Sequence, residues 1–182
     1  PHLLIVYGPW GLCLAHVIAN ASWLTIDTRP PFYDMAGHAI ATLRILGLPF
    51  RSDPAAAIDG LFHLNQYPPL VYWLAAPLAA SFGRTSDVMM GINTAFLCVL
   101  ILSTAAIARR LASPRAGLLA AFLVSMYPIL FGLSRQYLLD VPLTALTALA
   151  VWVLLRTEHF SRATESIWFG IVMGLGMLTK WT

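Results

Sequence analysis

The residues best placed for chemistry lie in the one long polar interval of the chain, Asp27 to Pro69. The interval holds four of the six aspartates, Asp27, Asp34, Asp53 and Asp59, and it directly follows an apolar run. Asp27 therefore lies where a membrane would end. A carboxylate at such a boundary can accept a hydrogen bond or a proton from a hydroxyl group. We expect a large loop on the outer face of a membrane, with the chemistry at its start.

Composition indicates an integral membrane protein. Of the 182 residues, 59% are hydrophobic and 10% are charged, against roughly 25% charged in an ordinary soluble domain. The formal charge of +3 and the scattered arginines argue against a nucleic-acid-binding surface. Cys13 and Cys98 lie in apolar runs without CxxC spacing, so we expect neither a disulfide framework nor a zinc site. The chain starts without Met and stops in an apolar segment, which we interpret as a piece of a longer protein.

Several apolar runs are long enough to cross a hydrocarbon core of about 30 Å, which predicts an all-α, polytopic transmembrane helical bundle. We expect crossings at about 2–24, 88–108, 116–133, 141–155 and 167–182. Pro9 interrupts the backbone hydrogen bonding of the first crossing. A neighbouring helix must then supply a donor to the freed carbonyl.

The external loop, 25–66, carries an amphipathic helix that we expect to lie in the membrane interface. It starts after a Pro-Pro pair and ends at Gly47. Its apolar face, with helical spacing, consists of Phe32, Met35, Ala36, Ala39, Ile40 and Leu43. The opposite face, expected to point to water or to the active cavity, carries Asp34, His38 and Thr42. Residues 50–66 are predicted to be polar loop.

Whether the apolar segment 67–83 crosses is decided by the arginines of the short loops. The segment has 17 residues and three prolines, which is short for a crossing. If it does not cross, the loops densest in arginine share a side with the N-terminus, and these arginines are Arg109, Arg110, Arg115, Arg156 and Arg162. By the positive-inside rule that side is cytoplasmic. We therefore predict a re-entrant or interfacial helix at 67–83, with all six aspartates outside.

Five features occur in an order that resembles a known enzyme family. They are an apolar first helix that ends in Asp27, a loop helix with Tyr-Asp-Met-Ala, YPPL before an apolar helix and FG, the motif SRQYLLDVP, and finally GLGMLTK. This order resembles the polyprenyl-phosphate-dependent glycosyltransferases of the GT-C fold. Within that group it resembles the branch of the protein O-mannosyltransferases and the lipid A aminoarabinose transferases. The resemblance implies the N-terminal part of a catalytic membrane module.

The resemblance implies transfer of a sugar from an isoprenoid phosphate to a lipid, glycan or protein acceptor, at the outer face of a bacterial inner membrane. Asp27 matches the family's acid at the mouth of the first helix, which takes or orients the proton of the attacking hydroxyl. Its alternative role is that of an interfacial acid that pairs with Arg29 or caps the following helix. The family has Asp-Glu here and a Tyr about four residues on, whereas Thr28 follows in this chain and Tyr33 comes six residues later. Asp34 therefore remains an alternative base.

The leaving phosphate needs a cation as its charge develops. Lys180, the only lysine of the chain, lies in an LTK that resembles the family's and is the expected phosphate contact. Arg135 and Asp140 flank a turn between two crossings. The resemblance implies that the aspartate helps to build the active cavity, and the alternative is an ion pair between the two across the loop or a cap on the helix that begins at Val141. Arg29 and Tyr67 are further candidates for phosphate and sugar contacts.

The sequence indicates no cofactor. It has neither a P-loop nor a GxGxxG motif, so direct use of a nucleotide sugar is not expected. The histidines lack close metal-ligand spacing, and a divalent ion between Asp27 and His63 is geometrically allowed but unsupported. A transporter or a non-catalytic scaffold homologue is the alternative function. A transporter would place its ionisable residues near the bilayer midplane, whereas here the acids cluster at one surface.

Overall fold

The computed structural model describes residues 2–50 and 52–181, which form helices and connecting loops without a strand. The predicted all-α class is correct for these residues. The helices are α1 (His2–Leu24), α2 (Asp34–Leu46), α3 (Pro54–Phe62), α4 (Leu70–Phe82), α5 (Ser86–Leu111), α6 (Pro114–Met126), α7 (Pro128–Leu133), α8 (Asp140–Arg156) and α9 (Ala163–Met177).

Helix α5 forms the centre of the bundle, because α1, α4, α6 and α8 all pack against it, and α9 packs on α8. Helices α1 and α5 are also long and apolar enough to cross a membrane, over Leu3–Leu24 (22 residues) and Ser86–Leu111 (26 residues). The other predicted crossings coincide with shorter helices. Their passage through the membrane stays a prediction.

Helices α1 and α5 run antiparallel. At one end Arg109 donates to the Ile5 carbonyl, and towards the other end Asn20 donates to Thr94 at 2.9 Å. The chain that leaves α1 therefore enters α5 at the same end of the bundle. If the segment 67–83 does not cross the membrane, the end of α1 and the start of α5 must lie on the same side, as they do here. That the segment does not cross stays a prediction.

The two ends of the bundle differ in chemistry. The arginine end, as we call it, carries Arg109, Arg110, Arg115, Arg156 and Arg162. The segments that follow α5 and α8 meet at this end, because Arg110 Nη2 lies 3.7 Å from Glu158 Oε1. The site end, opposite, carries the seven residues predicted from the sequence to form the site, which are Asp27, Arg29, Asp34, Tyr67, Arg135, Asp140 and Lys180.

Pro9 lies inside α1, and its missing N–H leaves the Ile5 carbonyl without the donor of a regular helix. A side-chain N–H of Arg109, from the last turn of α5, donates to that carbonyl. The prediction that a neighbouring helix satisfies it is confirmed.

The stretch 50–66, predicted to be polar loop, contains α3 and needs correction. The Asp53 carboxylate accepts a hydrogen bond from the Ala56 N–H at 3.0 Å, and Pro54 occupies the first turn of the helix. A side-chain cap and an N-terminal proline together stabilise a helix start.

The predicted helix 116–133 is interrupted between α6 and α7. Tyr127, which precedes Pro128, has an extended backbone with φ −66° and ψ 118°. The proline ring clashes with a helical conformation at the preceding residue, so the break follows from the sequence.

Helix α2 occupies the predicted loop helix but begins only at Asp34. Of the predicted polar face, Asp34 is exposed, whereas the other two residues point into the protein. His38 and Thr42 are buried, while Ile40 is 52% exposed. His38 Nδ1 lies 2.8 Å from Tyr72 Oη, and Thr42 Oγ1 lies 2.7 Å from Tyr137 Oη. Because each polar group meets a phenol, it can be buried without losing its hydrogen bond.

Candidate functional site

The first group of site residues surrounds Trp23 in the last turn of α1, and we call it the Trp23 cluster. The indole N–H of Trp23 donates to Asp27 Oδ2 at 3.0 Å. Arg29 binds both carboxylate oxygens, with Nε 2.7 Å from Oδ1 and Nη2 2.9 Å from Oδ2. The ion pair foreseen as the alternative role of Asp27 is thus the arrangement in the structure.

These contacts set the charge state of Asp27. The Arg29 guanidinium, assisted by its backbone N–H and by Trp23, lowers the pKa of Asp27 to about 2. The carboxylate in turn raises the pKa of Arg29. Asp27 is therefore ionised throughout the physiological range, but both of its oxygens are engaged by donors.

Arg135 completes the Trp23 cluster from the loop between α7 and α8. Its guanidinium carbon lies 4.7 Å from the ring centre of Trp23 and 4.0 Å from that of Phe131. Its Nε donates to Asn20 Oδ1 at 3.1 Å, and burial lowers the pKa of Arg135. The Arg135 side chain is thus held by its Nε and by two aromatic faces, and it shares Trp23 as a contact with the Asp27–Arg29 pair.

The second group lies around Lys180, just beyond the end of α9, and we call it the Lys180 cluster. Lys180 Nζ lies 3.0 Å from Asp140 Oδ1, in the first turn of α8. The same Nζ lies 5.9 Å from the ring centre of Tyr67, within reach of a cation–π contact. Arg135 and Asp140 bind different partners, so the expected alternative of a pair between them is not what the structure contains.

A groove of about 590 Å³ runs from the Lys180 cluster between α8 and α9. Lys180 and Trp181 lie at its polar end, and its walls are almost entirely apolar, including Leu146, Val151 and Phe169. A single cation at the end of an apolar groove matches the two chemical parts of a lipid phosphate.

Asp34, the alternative base, is exposed at the start of α2. It lines a shallow groove of about 390 Å³ together with Tyr33 and Gln136. Burial lowers the pKa of the neighbouring His38, Lys180 lowers it further, and Asp34 and Asp140 oppose the shift. His38 therefore feels the charge of Asp34 as well as the charges of the Lys180 cluster.

Sequence reasoning missed the residue that joins the two clusters. Asn93 of α5 is buried, and its amide donates to the carbonyls of Gln136 and Leu138, the latter at 2.9 Å. It thereby fixes the loop that carries Arg135 at one end and precedes Asp140 at the other. The available signal was an asparagine inside an apolar run, since a buried amide needs partners.

No group of three His, Cys, Asp or Glu side chains in the described residues is arranged to hold a metal ion. His63 lies beside Asp59, with Nδ1 3.2 Å from Oδ1.

The comparisons with known proteins give one finding. Residues 66–182 match the family model described as dolichyl-phosphate-mannose-protein mannosyltransferase. This range includes the whole Lys180 cluster and Arg135. No curated protein and no solved structure gives a significant match to the chain.

Proposed function

The chain belongs to the dolichyl-phosphate-mannose-protein mannosyltransferase family of GT-C-type membrane glycosyltransferases, and on this premise we propose that it moves a sugar from a polyprenyl-phosphate carrier to an acceptor hydroxyl. The sugar is a hexose or a pentose, and the acceptor is a lipid, a glycan or a protein. The site end faces outward from a bacterial inner membrane, and the arginine end faces the cytoplasm, in keeping with the positive-inside rule.

The observation that carries this proposal is the position of Lys180 at the end of the apolar groove between α8 and α9. The isoprenoid chain of the donor lies in this groove, and its phosphate meets the ammonium group. Tyr67, over which Lys180 lies, contacts the sugar. Asp140 holds the lysine in place before the donor arrives. The phosphate of the donor then either shares Lys180 with this carboxylate or displaces the carboxylate from it.

The reaction is a displacement at the anomeric carbon. The acceptor oxygen forms a bond to this carbon while the bond from the carbon to the phosphate oxygen breaks, and the phosphate leaves with the electron pair. The acceptor proton passes to a carboxylate, for which we propose Asp27. Lys180 and Arg135 stabilise the negative charge that develops on the leaving phosphate.

Arg29 has to move for Asp27 to act in this way, because it occupies both carboxylate oxygens. Its side chain is 71% exposed and therefore free to turn. We propose that Arg29 turns to the phosphate of the bound donor. This exchange removes one donor from each oxygen of Asp27, leaving the Arg29 backbone N–H on Oδ1 and the Trp23 indole on Oδ2. It raises the proton affinity of the carboxylate only when a donor is present.

Asp34 is the alternative base, because it is exposed at the start of α2 and carries no competing arginine among its described contacts. Replacement of each aspartate by asparagine distinguishes the two. Loss of a positioned acid–base group lowers the rate by about 10²- to 10⁴-fold.

The test is transfer of radiolabelled sugar from polyprenyl phosphate by the full-length protein in proteoliposomes. We expect Asp27→Asn to abolish transfer, Asp34→Asn to leave it within a few-fold, and the control Asp59→Asn, on exposed α3, to leave it unchanged. The opposite result for Asp27 and Asp34 would make Asp34 the base. Absence of transfer by a folded wild-type protein from every lipid donor tested would favour the non-catalytic scaffold instead.

A further inference from the structure

A second groove, of about 730 Å³, lies at the arginine end between α1, α5 and α8. We propose that it binds an anionic phospholipid of the adjacent leaflet, with the acyl chains in the groove and the headgroup at Arg109 and Arg110. This site is separate from the donor groove, which lies between α8 and α9 and ends at Lys180 at the opposite end of the bundle.

The groove exists because α1 and α8 both pack on α5 and leave a channel between them. Its floor is the α5 surface of Val99, Leu102 and Ala106, and Trp10 and Trp152 stand on its two sides. Apart from Ser103 and the two arginines, every lining residue is apolar. Acyl chains are therefore the occupant that the walls accept.

The mouth of the groove is positively charged. The arginine end has five arginines against two glutamates, Glu158 and Glu165. Glu158 lies 2.7 Å from Arg162 but 3.7 Å from Arg110, so its charge is mainly matched by Arg162. Arg110 is left as a half-exposed guanidinium, with a side chain that is 41% exposed at the rim of an apolar groove.

Arg109 adds a second donor at the same place. One of its terminal N–H groups serves the Ile5 carbonyl, while its Nε is buried and has no partner among the described residues. Buried donors are nearly always satisfied by protein, water or ligand. Arg109 also lines the groove beside Arg110, so a headgroup phosphate there would meet both guanidinium groups.

These features together select a phospholipid rather than a free anion. Basic pockets between transmembrane helices bind anionic headgroups, and tryptophans stand at the boundary between acyl chains and water. Trp10 is 61% exposed beside the groove, and the Arg156 guanidinium lies 5.9 Å from the ring centre of Trp152. A free phosphate would use the arginines but not the apolar groove.

Native mass spectrometry of the full-length protein tests this site, after equilibration with mixed micelles of equal phosphatidylglycerol and phosphatidylcholine. Arg110→Gln removes the rim charge, and Ala106→Phe fills the groove without changing charge. We expect Arg110→Gln to lower phosphatidylglycerol adducts by about fivefold, the attraction of one basic residue to an anionic surface, and to leave phosphatidylcholine adducts unchanged. Ala106→Phe should also lower phosphatidylglycerol adducts, because the acyl chains no longer fit.

Arg84→Gln is the matched control, because this exposed arginine lies at the site end, between α4 and α5. Equal loss of phosphatidylglycerol in Arg84→Gln and Arg110→Gln would overturn the proposal, because it would reveal a general effect of net charge. Wild-type adducts in Arg110→Gln, or equal retention of both lipids by the wild type, would also overturn it. If Ala106→Phe fails to fold, as judged by thermal unfolding, the two arginine variants decide.

Discussion

Lys180 Nζ lies 3.0 Å from Asp140 Oδ1 and joins the segment after α9 to the first turn of α8. The two residues are separated by 40 positions in the chain, and Lys180 lines one end of the apolar groove between the helices. The pair holds the only lysine of the chain at the place where we propose that the lipid phosphate binds.

We expect Lys180→Gln to lower kcat/KM for sugar transfer by about 100-fold, because a preorganised charge on the leaving group is lost. The measurement is transfer from polyprenyl phosphate in proteoliposomes, with donor concentration varied. The double variant Lys180→Gln with Asp140→Asn is the control for an unpaired carboxylate. Recovery of wild-type activity in the double variant would mean that the lysine serves only to neutralise Asp140.

The Asp27–Arg29 pair predicts an unusual pH dependence. In the free protein the pKa of Asp27 is about 2, below the ordinary carboxyl value of about 3.9. The stability that the ion pair contributes is therefore present above the ordinary value and lost as the pH falls through about 2. Arg29→Gln should return the pKa of Asp27 towards its ordinary value.

Activity at low pH measures this shift, because kcat/KM reports the free enzyme and kcat the donor complex. We expect kcat/KM of the wild type to be insensitive to Asp27 protonation at pH 4, and that of Arg29→Gln to fall to about half of its value at pH 7. If Arg29 leaves Asp27 when the donor binds, wild-type kcat should decline near pH 4 as well. A wild-type kcat that stays flat would contradict the proposed movement of Arg29.

Sequence patterns identified the positions of the main helices, because length, apolar content and proline placement act locally. They also identified the seven candidate site residues one by one, and all seven lie at one end of the bundle. They did not reveal α3, although Asp53 and Pro54 form a recognisable helix start. The local signal for this helix is therefore present in the sequence.

The partners that bury the polar face of α2 could not be predicted in the same way. His38 and Thr42 are buried because Tyr72 and Tyr137, 34 and 95 residues further on, supply their hydrogen bonds. The grouping of site residues likewise depends on helix packing, which brings Lys180 to Asp140 and Arg135 to Asn20. Such pairings are long-range properties that residue spacing does not encode.

The course of the segment 67–83 can be tested by labelling single cysteines in intact cells with a membrane-impermeant maleimide, after Cys13 and Cys98 are replaced by alanine. We expect Asp59→Cys and Arg84→Cys, on either side of α4, to be labelled from the same side. Ala112→Cys, in the turn after α5, should be labelled only after the cells are opened. Labelling of Asp59→Cys and Arg84→Cys from opposite sides would show that the segment crosses.

The hydrogen bond from Arg109 to the Ile5 carbonyl predicts an energetic coupling between Arg109 and Pro9. In the wild type, Arg109→Met leaves this carbonyl without a donor and should lower the free energy of unfolding by about 1–3 kcal/mol. In a Pro9→Ala background the new backbone N–H can satisfy the carbonyl, so the same change should cost much less.

Equilibrium unfolding of the full-length protein in mixed micelles measures the four members of this double-mutant cycle. Arg115→Met is the control for loss of an arginine at the same end, and its effect should not depend on residue 9. An equal cost of Arg109→Met in both backgrounds would mean that Arg109 stabilises the bundle through other contacts. Its side chain packs closely against Gly117 of α6, so such a cost would be assigned to the α5–α6 interface instead.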